Sequence, residues 1–328
     1  MTTRRYHTAQ AIRHALILAG TLGFALPAGA ASFYVNASAT CAGADGSAAK
    51  PFCTIQAGVG KAATGDTVQV AAGTYYEDVS ISNKGLRILG ADPATTVVQG
   101  FSSPFTVSGF STAASVEIAG FTVTGGSGNG VGFGSANLTG WVHNCIIVGN
   151  PSGIAVWGGA NIRVNNNVIT GSSYQAVYVA TNSGIAFYSN ILMNSGTGAF
   201  ADGCNQQAPI YSSYNRYFGN GTNRRTNCGD PPFSSTNDSD NSDPKLVDPG
   251  NGDYHLQPGS PNVDAGRPGA VDKDPDGSRN DQGVYGGPGA IAFWPNAAGM
   301  PVVTGLSSSP HDVAVGGTFT ITGTGKAQ

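Results

Sequence analysis

The segment DKDPDGSRND, residues 272–281, has side-chain oxygens at the spacing of a cation site. Its carboxylates surround one glycine: Asp272, Asp274, Asp276 and Asp281. Alternating aspartates ahead of a glycine open the loops that bind calcium through oxygen ligands. Gly283 stands where such a loop carries its bidentate glutamate, so an EF-hand is excluded. The motif indicates either a looser calcium site or an acidic, solvated turn.

Carboxylates are scarce in the middle of the chain, which limits acid–base chemistry there. Between Phe101 and Gly229 the only acids are Glu117 and Asp202. The basic residues of the same stretch are Arg163, Arg216, Arg224 and Arg225. Glycosidases need two neighbouring carboxylates. The sequence therefore favours a protein that binds without catalysis, and a lyase or hydrolase is the alternative.

Two series of short segments repeat through this stretch and decide which residues can meet. The first comprises GFTVTGG, NCIIVGN, NNVITGS, SNILMNS and YNRYFGN, at spacings of 22 to 25 residues. The second comprises NGVGFG, SGIAVWG, QAVYVAT and TGAFADG, at spacings of 22 or 23 residues. A unit of about 23 residues suits one turn of a solenoid built from short strands. Each turn buries its apolar face against the next.

The repeat predicts which apolar residues point inward, because side chains alternate along a strand. Three inward stacks are expected: Val123, Ile147, Ile169 and Leu192; Val131, Ile154, Val177 and Ala199; and Phe133, Val156, Val179 and Ala201. Ahead of the coils, Thr54 is a suitable N-cap for a helix over residues 55–63. Gly58 and Gly60 each weaken that helix by about 1 kcal/mol relative to alanine.

These features together resemble a secreted right-handed parallel β-helix of the pectate-lyase-like superfamily. The resemblance covers residues 33–290 and rests on the coil repeat, the stacked Asn167, Asn190 and Asn215, and the segment KPFCTIQAGVGKAATGDTVQVAAGTYYEDV. It implies an all-β solenoid with a short N-terminal capping helix and an inner asparagine ladder. Phe121 and Cys145 depart from the asparagine pattern, so the ladder is expected only in the later coils. The fold alone does not specify an activity.

The phase of the coils places one set of candidate binding residues on the outer face of one sheet. Trp157, Tyr178 and Asp202 are predicted to lie in phase there, one coil apart, with Phe200 also pointing outward. Aromatic side chains stack on sugar rings, and a carboxylate accepts hydrogen bonds from hydroxyls. With no basic residue in phase, the pattern predicts binding of a neutral or lightly charged polysaccharide. Alternatively, a loop or the C-terminal segment simply covers Trp157.

A neighbouring sheet carries a second outward set, predicted as two rows. The rows are Glu117, Trp141, Arg163 and Tyr211, and His143, Asn165 and Tyr188. Lyases of the resembling fold use an arginine or lysine base beside calcium-binding carboxylates, and no carboxylate cluster is in phase with Arg163. His143 has no evident Asp or Ser partner in the sequence, so we expect a solvated surface histidine.

The first thirty residues have the three parts of a secretory signal. Arg4, Arg5 and Arg13 precede the apolar run ALILAGTLGFAL, and Ala28 to Ala30 supply small residues for cleavage. Losing three arginines and no acids moves the net charge from −3 to −6. A mildly acidic exported protein is a poor nucleic-acid binder. No later segment is apolar for long enough to span a membrane.

The five cysteines suit an oxidising compartment, where disulfides persist. Proximity in sequence predicts the pairs Cys41–Cys53 and Cys204–Cys228. Cys145 lies in the apolar run CIIV and is expected to be a buried free thiol.

The domain organisation follows from these signals. We expect a signal peptide at 1–30, an N-terminal cap at 31–65, β-helix coils at 66–228, an Asp/Gly-rich closing segment at 229–297, and the start of an incomplete immunoglobulin-like module at 298–328. Three functions fit: an exported protein that binds polysaccharide or cell surface, a polysaccharide lyase or hydrolase, and a solenoid spacer of a larger surface protein.

Overall fold

The chain winds through three parallel sheets, placing one strand in each sheet per coil. The computed structural model describes residues 30–202, 210–227, 233–293, 302–309 and 320–326. The predicted signal peptide and the predicted Cys204–Cys228 pair lie outside the described residues. The parallel β-helix predicted from the repeat is confirmed.

The strands of each sheet follow in chain order. The first sheet comprises Ser32–Val35, Thr67–Val70, Arg87–Gly90, Ala114–Ala119, Leu138–His143, Asn161–Asn165, Gly184–Tyr188, Ile210–Ser213 and Phe233–Thr236. The second sheet comprises Gly73–Tyr75, Thr96–Gln99, Thr122–Thr124, Ile146–Val148, Val168–Thr170, Ile191–Met193, Arg216–Phe218 and Ser239–Asp240. The third sheet comprises Val79–Ile81, Phe105–Ser108, Asn129–Gly134, Ser152–Trp157, Gln175–Ala180, Thr197–Asp202 and Thr222–Thr226.

The remaining elements lie outside these sheets. They are the helix Ile55–Lys61, the 3₁₀ turns Pro249–Asn251 and Pro288–Ala292, the antiparallel pair Leu246–Asp248 with Asp253–Leu256, and the antiparallel pair Val302–Ser309 with Thr320–Lys326. Among the described residues, no helix is long and apolar enough to span a bilayer. The start of an immunoglobulin-like module at 298–328 stays a prediction, and residues 298–301, 310–319, 327 and 328 lie outside the described residues.

The three predicted inward stacks are confirmed by the strand register. Ile147 pairs with Val123 and Ile169, and Ile169 pairs with Leu192. The second and third stacks pair in the same way along the third sheet. All twelve residues are buried in the solenoid core. The core therefore runs along the solenoid axis, each coil covering the apolar side chains of the one before.

The asparagine ladder forms where the first sheet turns into the second. Asn190, fully buried, accepts hydrogen bonds from the backbone and side-chain nitrogens of Asn167 at 3.0 and 2.9 Å. Its own side-chain nitrogen donates to the carbonyls of Val164 and Tyr188 and to Asn215. Phe121 and Cys145 occupy the ladder position in earlier coils, as predicted.

Each ladder residue follows a residue in the left-handed conformation. The left-handed column is Gly120, Asn144, Asn166, Ser189, Tyr214 and Asn237, with φ between 49° and 78°. Asparagine and glycine tolerate this conformation better than other residues. The column makes the sharp turn between the first and second sheets, and the residue after it points inward into the ladder.

A second polar ladder, which the repeat did not predict, forms between the second and third sheets. It comprises Asn150, Ser172, Ser195 and Asn220. The signal was present, because each of these residues follows a glycine or asparagine that turns in the left-handed conformation. Serine occurs in so many turns that the period alone did not distinguish it.

The capping helix is tied to the first coil at both ends. Thr54 is the N-cap, as predicted, and accepts a hydrogen bond from Ala57 N at 3.2 Å. Glu77 accepts from the first two helical nitrogens, and Lys84 Nζ donates to three carbonyls at the helix end. The predicted Cys41–Cys53 disulfide is confirmed. Cys145 is a buried free thiol, also as predicted, and burial raises its pKa to about 12.

Charged residues end the inward stack at the last coil. Arg224 takes the inward position after Ala199 and stacks over the ring of Tyr217 at 4.8 Å. Its guanidinium lies 2.6 Å from the Asp240 carboxylate and 3.6 Å from that of Asp238. An arginine at this inward position ends the apolar stack, and an inward charge on the outermost described strand of a sheet disfavours pairing with another chain.

Residues 244–293, hereafter the closing segment, dock on the left-handed column and cover the outer face of the second sheet. Asn144 Nδ2 donates to the carbonyls of Val284 and Gly286 at 2.7 and 2.9 Å. Asn166 Nδ2 donates to Asn280 Oδ1 at 2.7 Å. The outward apolar residues of the second sheet pack against this segment in a separate cluster: Ile146, Val168, Ile191, Met193, Leu246, Tyr254, Val284 and Tyr285.

The two glycines of the capping helix predict opposite responses to alanine. A Cβ on Gly60 would meet no atom within 4 Å, so Gly60→Ala should stabilise the fold by about 1 kcal/mol through helix propensity. A Cβ on Gly58 would lie 2.8 Å from Val68 Cγ1 and 2.9 Å from Val35 Cγ2. Gly58→Ala should therefore destabilise by roughly 1–3 kcal/mol through overpacking.

Urea unfolding of the two variants beside the wild type measures both effects. Each variant serves as the control for the other, since the residue change and the helix are the same. Equal shifts of the two midpoints in one direction would contradict the packing of the helix against Val68 and Val35.

Candidate functional site

The third-sheet face is the outward surface formed by Trp157, Tyr178, Phe200, Asp202, Arg225 and Asn227. These side chains come from successive strands of the third sheet or directly follow its last strand, as Asn227 does. Adjacent strands lie about 4.8 Å apart, so neighbouring coils present side chains at intervals close to the width of a sugar ring.

Trp157 is half-buried and lies over the preceding coil. A Cβ on Gly134 would collide with its Cε2 and Nε1 atoms, and one on Gly132 would lie 2.6 Å from its Cη2 atom. The indole therefore occupies the space left by two missing side chains. Since neither glycine has a left-handed φ, their role here is the room they leave for the ring.

Tyr178 and Asp202 form the polar part of this face. The Tyr178 hydroxyl donates to Asp202 Oδ2 at 3.0 Å, and Asn227 Nδ2 donates to Asp202 Oδ1 at 2.6 Å. Burial, followed by the nearby Asp202 carboxylate, raises the pKa of Tyr178. The tyrosine therefore stays a neutral hydrogen-bond donor through the physiological range.

The register corrects two predictions for this face. Tyr178 pairs with Ala155, not with Trp157, so Trp157 lies in the next outward row, two residues further along the strand. Arg225 pairs with Phe200 and stacks over its ring at 5.5 Å, so a basic residue does lie in the row of Tyr178. The sheet and the outward direction are as predicted.

The first-sheet face is the outward surface of the two rows Glu117, Trp141, Arg163 and Tyr211, and His143, Asn165 and Tyr188. The register confirms both rows. The second row is buried, because the closing segment lies against it. A Cβ on Gly289 would lie 2.6 Å from His143 Nδ1, and Arg267 stacks over the Tyr188 ring at 4.8 Å.

His143 is a buried, partnered residue, and the predicted solvated histidine is wrong. Its Nε2 lies 3.1 Å from Glu117 Oε1, and its Nδ1 lies 2.8 Å from Asn144 Oδ1. Trp141 stacks on its ring with centroids 4.0 Å apart. The sequence did not reveal this because Glu117 lies one coil earlier and the covering residues lie more than a hundred residues later.

Glu117 is held ionised between Arg87 and His143. Arg87 Nε donates to its carboxylate at 2.7 Å, and His143 lies on its other oxygen. Burial would raise the pKa of Glu117, but the hydrogen bonds and charges of His143 and Arg87 outweigh burial and hold that pKa below its ordinary value. Glu117 and Asp202 lie on different sheets, so the two do not form a carboxylate pair.

Each of the four aspartates of the DKDPDGSRND motif is engaged by its own neighbouring group. Asp274 accepts from the backbone nitrogens of Gly287 and Asp281, through one oxygen each. The other three face different partners: Asp276 faces Ser278, Asp281 faces Asp264 N, and Asp272 faces Arg267. In the described part of the chain, no three His, Cys, Asp or Glu side chains are placed to hold a metal ion. Calcium binding at this motif stays a prediction of the sequence.

A separate pocket of about 260 Å³ lies beside the first strand of the first sheet. Its walls come from residues 34–36, 48, 51, 69–71 and 91. None of the candidate residues above lines it, so this pocket is distinct from both outer faces and from the aspartate motif.

Comparison with known proteins supports the fold. Residues 102–241 match the sequence family described as the right-handed β-helix region. The coils are thus those of a right-handed parallel β-helix. No curated protein matches the sequence.

One solved structure that matches is the crystal structure of pectate lyase Pel9A. It is 11% identical, with a TM-score of 0.35, over 81% of this chain and 96% of that chain. This likeness is too distant to indicate a shared activity.

The Glu117 site predicts a pH-dependent loss of stability in Glu117→Gln. Because the pKa of Glu117 is lowered by folding, its stabilisation is present above the ordinary carboxyl pKa and is lost as pH falls through the folded value. We expect the variant to lose roughly 3 kcal/mol at neutral pH, since it removes the buried carboxylate that Arg87 and His143 face. Unfolding curves at pH 7 and pH 3 measure this, and a difference that stays constant between them would contradict the assignment.

The aspartate motif gives a test with calcium. Because each carboxylate already faces its own partner, the arrangement predicts equal melting temperatures in millimolar calcium and in chelator. A clear rise with calcium, abolished by Asp276→Asn, would show that the four side chains rearrange into the site that the sequence predicts.

Proposed function

We propose that this protein is an exported β-helix that binds a polysaccharide or a cell-surface glycan through its third-sheet face and does not cleave it. The proposal rests on the Trp157 indole, which is half-exposed. The indole lies over Gly132 and Gly134, one coil before Tyr178. Flat aromatic surfaces cover the apolar faces of sugar rings. The disulfide Cys41–Cys53 fits export to an oxidising compartment.

The polar residues of the face suit sugar hydroxyls. Asp202 has acceptor capacity left after its bonds to Tyr178 and Asn227, since a carboxylate can accept about four hydrogen bonds. Arg225, at the end of the row of Tyr178 and Phe200, adds hydrogen-bond donors. One arginine and one aspartate offset each other, so a neutral or lightly charged glycan remains the best fit for this face.

The described carboxylates of the coils are not arranged for cleavage. On the third-sheet face Asp202 has no second carboxylate beside it, so the paired geometry of a glycosidase is not met among the described residues. The Glu117 carboxylate is buried and engaged by Arg87 and His143. Both acids act here as hydrogen-bond partners of neighbouring side chains.

The double variant Trp157→Ala with Tyr178→Ala tests the proposal. We expect it to abolish retention in affinity electrophoresis through neutral polysaccharides, because both aromatic surfaces are lost. The fold should remain, since neither side chain belongs to the inner core. The matched control is Tyr76→Ala with Tyr174→Ala, which removes two aromatics that are each 66% exposed elsewhere on the surface.

Three outcomes of this experiment are informative. Retention that survives the double variant would exclude the third-sheet face. Absence of retention by the wild-type chain on every polysaccharide of a panel would favour the spacer function. Release of unsaturated uronate, seen as ultraviolet absorbance when the wild type meets the same panel, would favour the lyase.

A further inference from the structure

The first-sheet face contains an arginine with no polar partner among the described residues. Arg163 is half-buried, yet it forms no hydrogen bond or ion pair with any residue that the structure describes. Its guanidinium lies over the Trp141 ring, 5.8 Å from the centroid. A guanidinium presents five donors in a planar fork, and those of Arg163 remain available to a ligand.

A second arginine reaches the same place from the closing segment. Arg267 stacks over Tyr188, and its side chain is 38% exposed. Burial raises the pKa of Asp272, and the positive charges of both Arg267 and Arg163 act to lower it, so the two guanidinium groups share one neighbourhood. Asp272, 3.6 Å from Arg267, balances only one of the two charges.

Beside these arginines, the outward row of Trp141 and Arg163 contains one short side chain, which leaves a gap between longer ones. Ala186 pairs with Arg163 on one side and with Tyr211 on the other, so a methyl group stands between two long side chains. The flanking strands are two strand spacings apart, about 9.6 Å, which is wide enough for a sugar ring. Tyr211 is 39% exposed and forms the far wall.

We propose that the first-sheet face is a second glycan site, which takes an anionic substituent, carboxylate or sulfate, on a sugar of an acidic polysaccharide. Arg163 and Arg267 bind the anion, and the ring lies over Ala186 against Tyr211. Paired arginines suit this group because each guanidinium can donate two parallel hydrogen bonds to its oxygens. The site is independent of the third-sheet face, which lies on another sheet.

Dextran, carboxymethyl-dextran and dextran sulfate test this proposal, because they differ only in the charged group. We expect the wild type to bind one or both charged dextrans more tightly than neutral dextran at low salt. Arg163→Gln should weaken that binding about tenfold or more, as loss of hydrogen bonds to a charged group does. Arg163→Lys should bind the charged dextran with an affinity between those of the wild type and Arg163→Gln, since lysine keeps the positive charge but lacks the planar fork of donors. The charged dextran that binds more tightly identifies the substituent.

Matched controls separate this site from general attraction. Lys61→Gln removes one exposed positive charge from the capping helix and should leave binding within twofold. The Tyr76→Ala with Tyr174→Ala double variant, which changes neither outer face, should also keep its binding to the charged dextran. Equal losses in Arg163→Gln and Lys61→Gln, or no preference of the wild type for either charged dextran, would overturn the proposal. Melting temperatures confirm that each variant is folded.

Discussion

The amide of Asn190 holds three coils in register, because it bonds to Asn167 before it, to Asn215 after it and to the backbone of its own turn. The turn that aims it inward depends on a left-handed residue directly before it, Ser189. The same pair of features recurs in each later coil. Since such buried amides are costly to leave unpaired, the register cannot slip without breaking the ladder. Every outward side chain therefore has a fixed neighbour one strand spacing away.

Because the register is fixed, each of the three sheets presents an ordered outer face. The three faces differ in how much of each is covered by the closing segment. The closing segment covers the second sheet with an apolar contact. On the first sheet it covers the row of His143 and Tyr188 and leaves Trp141 and Arg163 half-exposed. Over the described residues of the third sheet, Trp157, Tyr178 and Phe200 remain half-exposed. Glycan recognition is thus proposed where outward aromatic and polar side chains stay accessible beside a rigid backbone.

The repeat predicted the coils, the inward stacks and the asparagine ladder, since all three depend on residues one period apart. The prediction placed Trp157 in the row of Tyr178, which is wrong. Ala155 pairs with Tyr178, and Trp157 lies two residues beyond Ala155, as the 23-residue spacing of the two strands already implied. The coil period could not predict the burial of His143, because the residue that covers it, Gly289, lies far away in the sequence. Such contacts between distant segments leave no local pattern in a sequence.

The measurement that tests the functional account most directly is retention of Gly134→Ala on a neutral polysaccharide that the wild type binds. The change removes no group that would touch the glycan. A Cβ at this position would collide with Trp157 Cε2, so the indole has to move from its place over Gly134. The account predicts that retention is lost while the melting temperature shows a folded protein. A folded Gly134→Ala variant with undiminished retention would contradict it.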